Sequence, residues 1–295
     1  MDRFARSWQI AKLSFGVIRK DKEMLAFPLL AGIFSLLFML VLLFPTILVQ
    51  LLGQAGLGAV TFGVVEYAAL FVSYLGLSFI ATFFNMCVVY TSKVRFSGGD
   101  ATFMDSIRFS LSRVGPIFAW SMLAATVGIF LRLLDHVASR LGGVGKILLS
   151  VFRALLGMIW SIVVTFVVPA MVYDNLGPVD AIKKSAQTIQ ATWGESLIRH
   201  YGLGFVGFLF MFGGILLSIG LFSGLSLAGP PGVVVAIVIS TLYFLATFLL
   251  FNCANTVFNT ALYVYASEGQ VPDDFDSVLL EGAFRGKRGE TGGVW

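Results

Sequence analysis

Three asparagines, Asn252, Asn255 and Asn259, recur at i, i+3 and i+7 in an otherwise apolar stretch. On a helix they form one polar stripe. Thr256 and Thr260 interleave with them, and Asn85 and Thr82 lie at a similar depth in another apolar run. An amide in hydrocarbon is costly unless it bonds across helices. The stripe therefore reads either as interhelical hydrogen-bond glue or as the wall of a polar path. The other chemistry-bearing residues are poorly placed to cooperate. Cys87 and Cys253 belong to no CxxC pair and read as small, reduced apolar residues. His136 and His200 fall on opposite membrane faces in the topology given below, so they cannot share a metal. Asp273, Asp274 and Asp276 follow Pro272 and read as caps of a tail helix carrying Phe275, Leu279, Leu280 and Phe284. No P-loop, zinc signature, nucleophile elbow or dinucleotide fingerprint occurs. The expectation is a non-enzymatic chain that needs no cofactor and no metal.

The elements that carry this stripe follow from where charge is missing. Of 295 residues, 58% are hydrophobic and 12% charged, against about 25% charged in a soluble domain. Glu66 is the one charge from Met24 to Ser92, and there is none from Tyr201 to Ser267. A membrane helix needs about 20 apolar residues. The first block divides at Gly53–Gly58 and the second at Gly229-Pro230-Pro231-Gly232, with shorter runs over Val114–Leu131 and Ala154–Tyr173 between them. Six spans result, at about 25–52, 60–91, 114–131, 154–173, 201–228 and 233–266. The runs are too long and too continuously apolar for barrel strands, so the fold class is all-α, a polytopic transmembrane helical bundle. A water-soluble enzyme, a disordered chain and a disulfide scaffold are excluded. Residues 1–23 are basic without an apolar core, so the first span reads as a retained anchor. One domain is expected over 1–285, followed by a flexible polar tail at 286–295.

Basic residues give the orientation. Sixteen of the 20 Lys and Arg fall on one face, which places both termini in the cytoplasm and the protein in the cell membrane. The exceptions are Arg132, Arg140, Lys146 and Arg153, between spans three and four. Arg132 and Asp135 are i, i+3 neighbours at the end of span three and can pair with each other. For Arg153 the favoured reading is a separate outer amphipathic helix over 136–152 with the span starting at Ala154, the alternative being a snorkelling side chain. Glu66 reads as a snorkelled or paired carboxylate. The net charge of +4 is then topology, and no nucleic-acid partner is implied. Gly220, Gly224 and Ala228 recur every fourth residue and would let another helix approach closely. Pro45 and Pro169 would kink or end their helices.

The cytoplasmic segments repeat. Asp2 to Ser7, Asp105 to Ser110 and Asp180 to Ser185 share the pattern Asp, any, apolar, any, any, Ser. Each opens an amphipathic stretch. The second span of each pair ends alike, at Val88-Val89-Tyr90, Met171-Val172-Tyr173 and Tyr263-Val264-Tyr265. Three units of interfacial helix plus transmembrane hairpin are therefore expected, over about 1–99, 100–176 and 177–272. Trp8, Phe15, Ile107, Ile182 and Trp193 are the candidate interfacial anchors. They would pack the bundle rim or meet membrane lipids or a cytoplasmic protein partner. Homo-oligomerisation has only the small-residue stripe in its favour.

The closing segment carries a resemblance. It comprises Thr260-Ala261-Leu262-Tyr263-Val264-Tyr265-Ala266, then Gly269-Gln270-Val271-Pro272, Phe275-Asp276 and Leu279 to Arg285. It resembles the signature of a prokaryotic multi-pass membrane family catalogued as a domain of unknown function. The opening, Ser14 to Glu23 followed by Phe27-Pro28-Leu29-Leu30, is similar to that family as well. The resemblance implies an integral membrane protein of a bacterium or archaeon, and it implies no substrate or reaction. The functional expectation is a membrane scaffold or accessory factor. Its rival is a transporter or channel for a small or lipidic solute using the Asn stripe. Single cysteines placed at 54–58 should be labelled by an impermeant thiol reagent from outside, and those at 96–100 from inside. The reverse pattern overturns the topology.

Overall fold

A computed structural model of the chain describes residues 3–54, 64–193, 202–272 and 275. Among the described residues every regular element is helical and no strand occurs. The α-helices are α1 (Arg3–Lys20), α2 (Ala26–Gln54), α3 (Val64–Phe96), α4 (Phe103–Ser112), α5 (Val114–Arg140), α6 (Gly143–Val163), α7 (Val167–Tyr173), α8 (Pro178–Trp193), α9 (Gly202–Leu225) and α10 (Pro230–Glu268). Six segments are long and apolar enough to cross a membrane: Lys22–Leu42, Ala68–Phe96, Val114–Arg140, Gly143–Tyr173, Val206–Ala228 and Pro230–Glu268. The chain is a multi-pass membrane protein.

Helix ends fall where local chemistry puts them. Thr102 and Asp105 form a capping box at the start of α4, and hydrogen bonds from Thr102 hold the Asp105 carboxyl below its ordinary pKa. Lys93 and Arg95 occupy the last turn of α3, where cations meet the negative helix end. Pro230 and Pro231 open α10, and Gly269 closes it in the left-handed conformation at φ 68°, donating its N–H to Tyr265. Pro45 lies within α2, which continues past it to Gln54.

Two expectations about the α5–α6 hairpin change. No separate outer helix covers 136–152: α5 runs unbroken to Arg140, the chain turns at Leu141–Gly142, and α6 runs unbroken from Gly143 through Arg153. The glycines Gly142 and Gly143 do break the segment, the latter at φ 53°, but the helix that follows starts there and not at Ala154.

The helices cluster in two compact units. The first comprises Met1–Leu25, Ser92–Asp100 and Thr188–Trp295. Here α9 and α10 run antiparallel. Gly207 faces Phe251 and Gly214 faces Tyr243, with room for no Cβ at 214, since one would lie 2.3 Å from the Tyr243 ring. The Tyr243 hydroxyl donates to Phe210 O at 2.9 Å. In α1, Ile10, Ala11, Ser14, Val17 and Ile18 are buried, and Phe15 meets Phe251 edge-on at 5.4 Å. Buried Asp21 receives a two-pronged ion pair from Arg95 through Nε and Nη2, and Arg95 also reaches Asp100. Of the expected tail helix, Phe275 alone is described; it is buried against Phe96. Asp273, Asp274, Asp276, Leu279, Leu280 and Phe284 lie outside the described residues, as does the segment 286–295.

The second unit comprises Ala26–Thr91 and Ala101–Gln187. Phe34 packs on Phe84, and the Phe38 ring fills the space over Gly76. Phe27 stacks on Phe103, Tyr90 on Phe109, and Trp120 on Trp160. In both units the buried residues gather toward the ends where the amphipathic helices pack: Met86–Val89 in α3, Val167–Val172 in α7, and Cys253, Ala254, Val257, Phe258 and Thr260–Val264 in α10. Elsewhere the spans present bare Leu, Ile, Val and Phe, as helices do when their solvent is lipid.

The small residues that admit a neighbour are Gly207 and Gly214, since nothing approaches within 4 Å of a Cβ at Gly220 or Gly224. Gly214→Ala should cost about 1–3 kcal/mol through displacement of Tyr243 and its hydrogen bond. Gly220→Ala should be neutral or up to about 1 kcal/mol stabilising. Thermal unfolding in detergent compares the two, and equal effects overturn the assignment.

Candidate functional site

The Asn stripe sits on an unusually long helix. At 39 residues, α10 extends about 58 Å at 1.5 Å per residue, nearly twice the ~30 Å hydrocarbon core. Pairing of Gly207 with Phe251 sets Asn252 and Asn255 level with the first turn of α9. The stripe therefore lies toward the end of the α9–α10 hairpin opposite the Gly229 turn. Asn252 and Asn255 are exposed and Asn259 is half-buried. Among the described residues none of the three makes a side-chain hydrogen bond, and the Thr256 and Thr260 hydroxyls donate to carbonyls of their own helix at 3.2 and 2.7 Å. Asn252 and Asn255 border an open groove of about 340 Å³, whose other walls are Gly207, Met211, Thr247, Phe248 and Phe251. Asn85 belongs to α3 in the second unit, where its Oδ1 is enclosed without a hydrogen-bond partner.

A second polar group lies at the α5–α6 turn. A cavity of about 380 Å³ is bordered by Tyr74, Arg132, Asp135, His136 and Arg153 together with Leu70, Ile129 and Leu133. The Trp120–Trp160 stack sets the antiparallel register, and by it the Arg153 backbone falls level with residue 127 of α5. Its guanidinium runs back toward the turn and pairs with Asp135 at 3.0 Å. Asp135 thus pairs with Arg153 and not with Arg132. Neighbours at i, i+3 on one helix gain only about 0.2–0.5 kcal/mol from pairing. Arg153, anchored deeper among apolar residues, must snorkel to reach any polar partner, and Asp135 stands there. Arg132 is exposed, with no ion pair among the described residues.

A model of a family of unknown function, DUF6159, matches residues 64–273, more than two thirds of the chain. The chain belongs to DUF6159. The matched region contains five of the six apolar spans and Thr260–Pro272 of the closing signature. No curated protein and no solved structure matches the chain.

Inside the DUF6159 region the serines of the repeated motif do structural work that their spacing did not announce. Ser110 of α4 is fully buried, 3.1 Å from Cys87 of α3, and one turn away the Ser106 and Thr91 hydroxyls lie 2.7 Å apart. Small polar side chains thus seat α4 on α3. Ser185 of α8 is also fully buried and serves the break between α6 and α7. Pro169 has no N–H and its ring excludes a helical carbonyl at residue 165, so the helix opens over Val164–Phe166. That leaves the Phe166 N–H and the Val163 carbonyl to find partners. The Phe166 N–H donates to Ser185 Oγ at 3.2 Å, and Ser185 Oγ donates to Val163 O at 2.5 Å. By the Trp120–Trp160 register this break is level with the first turn of α5, where Arg113 Nη2 donates to Leu176 O at 3.2 Å.

The candidate anchors divide. Trp8 is exposed, and Phe15, Ile107 and Ile182 are half-buried. The faces that pack inward are instead rich in Ser and Ala: Ala11 and Ser14, Ser106 and Ser110, Ala181 and Ser185. The side chains of Ser7, Glu66 and Trp193, and the whole of His200, lie outside the described residues. Val89, Val172 and Val264 in the three similar span ends are all buried, and the Tyr that follows each is half-buried.

Ser185→Ala removes both partners of the helix break at once. It should lower stability by about 1–3 kcal/mol for each buried group left unpaired. Ser112→Ala, whose exposed hydroxyl bonds within its own turn, should change stability by less than about 0.5 kcal/mol. Thermal melts of both variants in one detergent make the comparison.

Proposed function

We propose that this DUF6159 protein is a non-enzymatic membrane scaffold or accessory factor of the cell membrane, with both termini in the cytoplasm. Its working surface is the rim where α1 packs beside the Asn-bearing edge of α10. One observation carries the reading. Asn252 and Asn255 are exposed at rim depth beside an open groove, and no helix uses them as hydrogen-bond glue among the described residues. Amides at that depth meet headgroups, water or a partner at little cost, whereas amides at mid-membrane must line a path or bond across helices. The concentration of buried residues where the amphipathic helices pack supports the same reading, because it gives the rim a firm base. The clustered Lys and Arg of the amphipathic segments suit anionic lipid on the cytoplasmic face.

The competing reading is a transporter that uses the groove as its path. Asn255→Cys, in a chain whose Cys87 and Cys253 are replaced by Ser, separates the two. A small charged thiol reagent applied to sealed vesicles of either orientation should label position 255 from the cytoplasmic side alone. Labelling from both sides marks a continuous aqueous path and favours transport. Protection from both sides contradicts a rim surface.

A further inference from the structure

The cavity at the α5–α6 turn has a composition that neither reading of the protein uses. Two guanidinium groups, one imidazole and a single carboxylate share its lining with the apolar residues Leu70, Ile129 and Leu133. Asp135 is engaged with Arg153, which leaves Arg132 as a cation with no ion-pair partner among the described residues. Depth is fixed by α5 itself. Arg113 and Arg132 bracket an uncharged run of 18 residues, about 27 Å of helix, which matches the ~30 Å hydrocarbon core. Arg132 thus stands at phosphate depth on the membrane face opposite Arg113. Two further cations, Arg140 and Lys146, flank the turn beyond it. Positive-inside statistics disfavour cations on that face, so a local requirement for positive charge at the cavity accounts for Arg132 and Arg153 better than topology does.

We propose that this cavity is a headgroup site for an anionic phospholipid, with Arg132 and Arg153 meeting its phosphate. The guanidinium fork matches two phosphate oxygens at once. The apolar lining residues receive the glycerol and the first methylenes of the acyl chains, for which a free phosphate ion has no use. Basic pockets between membrane helices hold anionic headgroups on cytoplasmic faces, and the same charge chemistry applies at the opposite face. Asp135 acts as the competitor: its carboxylate occupies Arg153 until a phosphate shares that guanidinium. Snorkelling permits the exchange, because Arg153 already directs its charge into the cavity from a deeper backbone position.

Native mass spectrometry of the full-length detergent-purified chain, titrated with phosphatidylglycerol or phosphatidylcholine, tests this. Phosphatidylglycerol should be retained and phosphatidylcholine released at matched activation. Arg132→Gln should weaken phosphatidylglycerol retention by about fivefold, and Arg132→Gln with Arg153→Gln should abolish preference for it. Lys146→Gln, outside the cavity, should leave it unchanged. Asp135→Asn should strengthen retention, a gain that no misfolded variant can produce. Millimolar inorganic phosphate should not displace the lipid. Equal retention of both lipids, full retention by Arg132→Gln, weakened retention by Asp135→Asn, or displacement by inorganic phosphate overturns the proposal.

Discussion

A peptide group in hydrocarbon has no water to bond with, and this constraint organises the molecule. It forces each apolar run into helix and carries α2 through Pro45 without a stop. It also makes any interruption expensive. The break over Val164–Phe166 survives because Ser185 donates to the carbonyl of Val163 and accepts the N–H of Phe166. A hydroxyl is the smallest side chain that can do both at once. The position of α8 is thereby tied to a defect created by Pro169 in a different helix.

The same solvent explains where the core lies. Leucine gains nothing by leaving lipid for another leucine, so apolar burial cannot hold the spans together along their whole length. Contact is instead made by glycine against aromatic rings, at Gly76 with Phe38, Gly128 with Tyr74 and Gly214 with Tyr243. Toward the amphipathic helices water returns and ordinary burial operates again. There α1, α4 and α8 act as packed walls, with Ser and Ala faces turned inward. The large apolar residues chosen as anchors, such as Ile107 and Ile182, take intermediate positions because close helix contact selects for small side chains.

Much of this architecture was legible in the amino-acid sequence. The charge deserts mark all six spans, the glycine and proline clusters mark the turn at 229–232, and Pro169 marks the broken helix. What escaped depends on facing partners. Asp135 has Arg132 three residues away, yet it bonds Arg153 eighteen residues away, and only the hairpin register decides between them. Gly220 and Gly224 repeat as regularly as Gly207 and Gly214, but the ring that needs space is Tyr243 of the next helix. The neighbours of the Asn stripe also escaped, because the pairing of Gly207 with Phe251, which sets Asn252 and Asn255 level with the first turn of α9, depends on the facing helix.

The contact between Phe15 and Phe251 has a temporal meaning. The ribosome makes α1 first and its partner on α10 after some 236 further residues, a delay of roughly 10–50 s at about 5–20 residues per second. Asp21 can clasp Arg95 as soon as the first hairpin is complete, while the apolar face of α1 still waits for its mate. Helix α1 therefore emerges well before α10 and cannot be fully seated until α10 has been made.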